Sequence, residues 1–88
     1  MPYIDPNIRP LYNKVFSGFF PPAANLAAGG LNYLITTLVL RYIGATGGTS
    51  YTKLNEVIGV LECAKLELYR RRAAAYEDRK VVENGDVY

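Results

Sequence analysis

Half of this chain is hydrophobic, yet it has only 88 residues in which to hide that material. A domain so small leaves a large share of its apolar surface uncovered when it folds alone, so its core is marginal. Eight tyrosines and three phenylalanines add more bulk than one small core accommodates. The balance predicts one domain, residues 1–88, that associates with copies of itself and buries its leftover apolar faces between subunits.

Charge and cysteine usage narrow the partners. A formal charge of +2 argues against a nucleic-acid binder, because phosphate-backbone contacts demand a dense basic stripe. The one basic cluster is Arg70, Arg71 and Arg72, with acids on both sides, and its plain reading is a solvated helix face. A single cysteine, Cys63, rules out an internal disulfide framework, and without a visible signal peptide the reducing cytosol is the expected compartment. The longest apolar run, Leu31 to Ile43, is interrupted by Asn32, Thr36, Thr37 and Arg41 and falls short of the ~20 apolar residues of a membrane span.

Punctuation divides the chain into three helical segments. Asp5 and Pro6 suit a helix start, an acidic cap followed by proline at the first helical position, so the first helix is expected from about Pro6 to Ser17. Ile8, Leu11, Tyr12, Val15, Phe16 and Phe19 recur on it at helical spacing; Pro10 fits only if it falls within the first turn. Gly18 and Pro21-Pro22 break the chain, and residues 23–30 form a small-residue connector with room for one helical turn. The second helix is expected from about Gly30 to Ile43. Leu31, Leu34, Ile35, Leu38 and Tyr42 form its stripe, while Tyr33 and Leu40 make the opposite side apolar too. A helix apolar on two sides is sandwiched between neighbours.

Gly44-Ala45-Thr46-Gly47-Gly48 reads as a helix cap and hairpin turn; no strand precedes it and no phosphate-loop lysine follows in the required spacing. Thr49 or Ser50 caps a third helix from about Tyr51 to Val81 or Val82, with Leu54, Val57, Ile58, Leu61 and Leu68 on one face. Asn84-Gly85 supplies the stop, and Val87 and Tyr88 beyond it suit either an ordered interface or simple end-capping. The expected fold is therefore all-α: a small three-helix domain, a short N-terminal helix plus a long antiparallel helical hairpin, assembled into a homo-oligomer.

Catalytic groups are scarce. Histidine is absent, which removes the usual general base and the commonest metal ligand. Cys63 lies mid-helix among Gly59, Val60 and Leu66 and reads as a buried, inert thiol. Glu77 and Asp78 adjoin in sequence and diverge on a helix, so they make a poor acid/base pair. No enzyme activity, cofactor or metal is expected.

The third helix carries the anomaly. At ~100° per residue, Lys65 and Arg72 fall on the stripe of Leu54, Ile58, Leu61 and Leu68, flanked by Tyr69 and Tyr76, with Glu62 three residues before Lys65. Charges on an apolar face must be paired, solvated or satisfied by a ligand. In the structural reading Glu62 pairs with Lys65 and the long stems reach solvent. In the functional reading Lys65, Arg72, Tyr69, Tyr76 and Glu62 line a pocket for an anionic aromatic molecule, cations holding phosphate and tyrosines stacking on a base; Asn32 and Thr36 share a side of the second helix and would add hydrogen bonds.

As a set, three blocks resemble a family of small tailed-phage proteins known as a domain of unknown function: residues 30–36 (GLNYLIT), residues 60–71 (VLECAKLELYRR), and Tyr76-Glu77-Asp78 through Asn84-Gly85-Asp86-Val87-Tyr88. The opening Met1-Pro2-Tyr3-Ile4, followed by Arg9, is similar too, so the resemblance spans nearly the whole chain. The sequence departs in its longer Pro-Pro and Ala-rich connector, and in Gly29-Gly30 where the family pattern has an acidic residue. Membership implies a phage accessory protein acting in the cytoplasm of the host bacterium. By analogy with counter-defence factors, the leading expectation is an oligomeric sponge that binds and sequesters a nucleotide-derived immune signal, a cyclic nucleotide or a cyclic ADP-ribose-type ligand, in pockets at subunit interfaces. The alternatives are a protein-binding inhibitor of a host enzyme or defence protein, and a small virion or packaging component.

Overall fold

The computed structural model describes residues 3–16, 21 and 26–88. Expectations that fall on Met1, Pro2, Ser17, Gly18, Phe19 and residues 22–25 lie outside these residues. All regular structure among the described residues is helical, in three helices, one of them 34 residues long.

The chain's first turn is set by Asp5. Its carboxylate oxygen accepts from the Asn7 N–H at 2.8 Å, and its carbonyl accepts from the Ile8 N–H at 3.0 Å. That closes a turn over Pro6–Ile8 rather than opening a helix, because an Asx side chain satisfies the backbone two residues on. Helix α1, Arg9–Asn13, therefore starts three residues later than expected and continues as a 3₁₀ turn over Lys14–Phe16. The shift removes the difficulty with Pro10. It sits in the first turn of α1, where no intrahelical acceptor awaits the N–H that proline lacks.

Helix α2 runs Ala28–Ala45, two residues longer at each end than the spacing predicts. Thr46 ends it: its hydroxyl donates to the Tyr42 carbonyl at 2.7 Å, and the Gly48 N–H reaches the Ile43 carbonyl at 2.9 Å. Gly47 and Gly48 have φ of 108° and 88°. Side-chain-bearing residues resist those angles, so the two glycines permit the chain to fold back on the helix's free carbonyls. Ser50 then caps the next helix, its Oγ accepting from the Lys53 N–H at 3.1 Å.

Helix α3, Tyr51–Leu68, passes without a break into a π turn, Tyr69–Ala73, and on into α4, Ala74–Asn84. Gly85, with φ of 86°, terminates the run, and its N–H caps the Val81 carbonyl at 2.8 Å. Asp86 takes the Tyr88 N–H at 2.8 Å in a last small turn, and the side chains of Val87 and Tyr88 lie fully in solvent.

The chain divides into two units, Tyr3–Asn55 and Glu56–Tyr88. In the first, Ile43 is the buried apolar residue, and Lys53 Nζ stands 5.3 Å from the centroid of the Tyr42 ring. Tyr33 on α2 is 70% exposed, with Leu31, Leu38 and Leu40 also in solvent. In the second, Val57 is buried at 6% exposure, while Ile58, Leu61 and Leu68 of the expected apolar stripe are all exposed. No helix among the described residues is long and apolar enough to cross a membrane.

Candidate functional site

The charged part of α3 begins with an ion pair. Lys65 Nζ lies 3.3 Å from Glu62 Oε1, at the i,i+3 spacing that puts two side chains on one helix face. Both are well exposed, so the pair contributes at most ~1 kcal/mol and mainly sets the direction of the lysine stem.

Two residues on, Glu67 holds a tighter arrangement. Its Oε1 accepts from Arg70 Nη2 at 2.7 Å and from Arg71 Nε at 2.9 Å. The Glu67 side chain is only 13% exposed, whereas both arginines reach into solvent. A mostly covered carboxylate is expensive to desolvate, and the two guanidinium donors compensate it. The solvated-face reading of the arginine run leaves out Glu67, whose spacing to Arg70 and Arg71 is visible in the sequence.

The π turn follows. The Ala74 N–H bonds to the Tyr69 carbonyl, five residues back instead of four. One residue is in effect inserted, so every later side chain is displaced by ~100° from its position on a regular α-helix. This corrects the projection that put Arg72 on the Leu54–Leu68 stripe. Arg72 is exposed, and Ala73 and Ala74 are half-buried. Among the described residues Arg72 has no ion pair or hydrogen bond.

The same insertion brings Tyr69 and Glu77 together. Eight residues apart on an α-helix, two side chains diverge by ~80°; with one residue absorbed they align within ~20°. The Tyr69 hydroxyl donates to Glu77 Oε2 at 3.2 Å. The negative charge of Glu77, and then the hydrogen bond to it, hold the Tyr69 phenol above its ordinary value of 10.0. Tyr76 is engaged by cations, Arg79 Cζ at 5.8 Å and Lys80 Nζ at 5.5 Å from its ring centroid, and Lys80 also pairs with Glu83 at 3.1 Å.

In the other unit, the Thr36 hydroxyl donates to Asn32 Oδ1 at 3.1 Å across one turn of α2. The two share a side, as the spacing indicates, and satisfy each other. Of the seven candidate residues, then, Glu62 and Lys65 are paired, Asn32 and Thr36 are paired, Tyr69 and Tyr76 hold partners within α4, and Arg72 stands open. None of the seven lines two clefts that lie among the described residues. One, of about 340 Å³, is bounded by Asp78, Arg79, Val82 and Glu83. The other, of about 320 Å³, is bounded by Leu26, Ala27, Ala28, Leu31 and Leu34.

Cys63 needs a second correction. It is exposed, not buried. Its neighbours Val60 and Leu66 are themselves in solvent, so the apolar company that suggested an inert interior thiol does not enclose it.

Residues 1–87 match the family described as "Domain of unknown function (DUF6899)". The chain is a member of that family. The match includes the whole of α1, α2, α3, the π turn and α4, so the charged face just described lies inside the family domain. No curated protein and no solved structure matches the chain.

Proposed function

We propose that this protein is a non-enzymatic, homo-oligomeric binding protein that takes up an anionic, nucleotide-like ligand at its subunit interfaces and holds it without cleaving it. One observation carries the reading: apolar side chains along both long helices stand in solvent, while Ile43 and Val57 are the buried hydrophobic residues among those described. Exposed apolar area on this scale marks a surface that another protein covers. The ligand half of the reading rests on the end of the long helix. Arg72 carries an uncompensated guanidinium, and Tyr69 and Tyr76 supply ring faces within a turn of it. A guanidinium fork suits phosphate, and tyrosines suit a base. Lys65, Glu62, Asn32 and Thr36 remain candidates whose present partners an incoming ligand would have to replace.

In its full form the reading is a phage counter-defence factor that sequesters a nucleotide-derived immune signal in the host bacterial cytoplasm; the resemblance drawn from the sequence blocks is its support. Titration calorimetry of the purified protein against cyclic dinucleotides and cyclic ADP-ribose isomers tests it. Binding heat that Arg72→Ala reduces at least tenfold in affinity is the expected result. Flat titrations throughout, on protein that light scattering shows to be assembled, would end the ligand half and favour the competing reading, an inhibitor that docks on a host protein through the same apolar and arginine-bearing surface.

A further inference from the structure

Within the second unit, the exposed side chains of α3 have an order that a bare apolar surface would not need. Ile58, Leu61, Lys65 and Leu68 follow one another at steps of three, four and three residues, the alternation of a seven-residue coiled-coil repeat. Ile58 and Lys65 occupy one core position of that repeat, Leu61 and Leu68 the other. Ile58, Leu61 and Leu68 are 64%, 40% and 65% exposed, and the Lys65 side chain is 70% exposed. The π turn at Tyr69–Ala73 ends the series by rotating Arg72 off the line. Charge decides which way a second helix would run. A parallel, in-register pair sets Lys65 against Lys65 at one level, each lysine attended by the Glu62 of its own helix and facing the other cation across the seam. An antiparallel pair sets the two core positions against each other, so that Ile58 faces Leu68 of the second copy and Leu61 faces its Lys65. Glu62, already 3.3 Å from its own Lys65, then lies about one residue's rise, ~1.5 Å along the axis, from Lys65 of the second copy. Two lysines and two glutamates gather around the dyad with no net charge.

We propose that Ile58, Leu61, Lys65 and Leu68 form an antiparallel seam with the same four residues of a second copy of this chain. The seam deepens the homo-oligomer reading and rests on it. A polar residue at one core position penalises other registers, which gives Lys65 a role in choosing the pairing rather than in strengthening it.

Site-directed disulfides test the orientation in the full-length protein. Cys63 sits ~180° around the helix from the seam, so Cys63→Ser provides a background without touching it. On that background Ile58→Cys and Leu68→Cys proteins are refolded together and oxidised with glutathione, and the linked peptides are identified by mass spectrometry. The expected product joins position 58 to position 68 and exceeds the 58–58 and 68–68 products at least tenfold. Dominant 58–58 product means parallel pairing and overturns the seam. Absent cross-links on protein that light scattering shows to be assembled place the interface elsewhere and also overturn it, leaving the homo-oligomer reading intact. A monomer at every concentration overturns both. Lys65→Glu, an exposed change that leaves the fold undisturbed, is expected to weaken self-association at least tenfold, and Lys65→Met to preserve it; equal dimer dissociation constants for wild type and Lys65→Glu would overturn the seam independently.

Discussion

At the scale of single residues, the second unit is governed by two glutamates. Glu67 is mostly covered and takes two arginine donors; Glu77 is reached by a tyrosine eight residues away. Replacing Glu67 by Ala strands two guanidinium groups without their acceptor. The expected cost is about 1 kcal/mol, which for a domain of this size lowers the thermal midpoint by roughly 4–8 °C in a circular-dichroism melt. Glu77 acts on Tyr69 differently. Its charge and hydrogen bond favour the neutral phenol, so the folded-state pKa lies above the unfolded value of 10.0. The sign follows by linkage: the contribution is complete below that unfolded value and is lost as pH rises through the higher folded one. Carbon NMR of the labelled tyrosine ring should show Tyr69 titrating above the ordinary phenol value of 10.0, and Glu77→Gln should bring it back toward that value. A Tyr69 titration that Glu77→Gln leaves unmoved would refute the pairing.

Among elements, the caps and the π turn do the most to place side chains. Ser50→Ala removes the oxygen that accepts the Lys53 N–H and should cost about 1 kcal/mol, Ser50→Gly only a few tenths, both read as loss of helix stability in thermal melts. The π turn is tested by shortening it. Deleting Ala73 restores a continuous α-helical register with Tyr69 and Glu77 seven residues apart and aligned within ~20°, so the raised Tyr69 titration should persist while total ellipticity changes little. Loss of the raised Tyr69 titration in the deletion variant would mean that the turn does more than absorb one residue. Much at this scale was legible beforehand: Ser50, Gly47, Gly85 and the Glu62–Lys65 spacing act through local chemistry, and each stands where the sequence indicates. Asp5 and Pro6 are ambiguous in sequence because the same residues that cap a helix also close an Asx turn, and only the chain's path past Ile8 separates the two.

For the molecule as a whole, the apolar excess read from the sequence reappears as exposed side chains along α2 and α3. If copies of the chain cover that surface, folding is linked to association, and the thermal midpoint must rise with protein concentration. Light scattering should return a multiple of the 9.8 kDa chain mass, and a concentration-independent midpoint at the monomer mass would remove the basis for any interfacial site.

What the sequence determined by itself is the set of local, short-range choices: helices wherever apolar residues recur at helical spacing, and breaks wherever glycine or a capping hydroxyl satisfies the free backbone groups. These depend on a few neighbouring residues, so composition and spacing are enough to read them. The three-dimensional arrangement decided which residues share a face beyond Leu68, because one residue absorbed in the π turn turns Arg72 outward and aligns Tyr69 with Glu77. It decided, too, that Cys63 is exposed and Val57 buried, although both lie on the same helix. Helical phase accumulates along the chain, so a single local insertion rewrites every face downstream of it, and a count of residues at constant angle carries no trace of where that insertion falls.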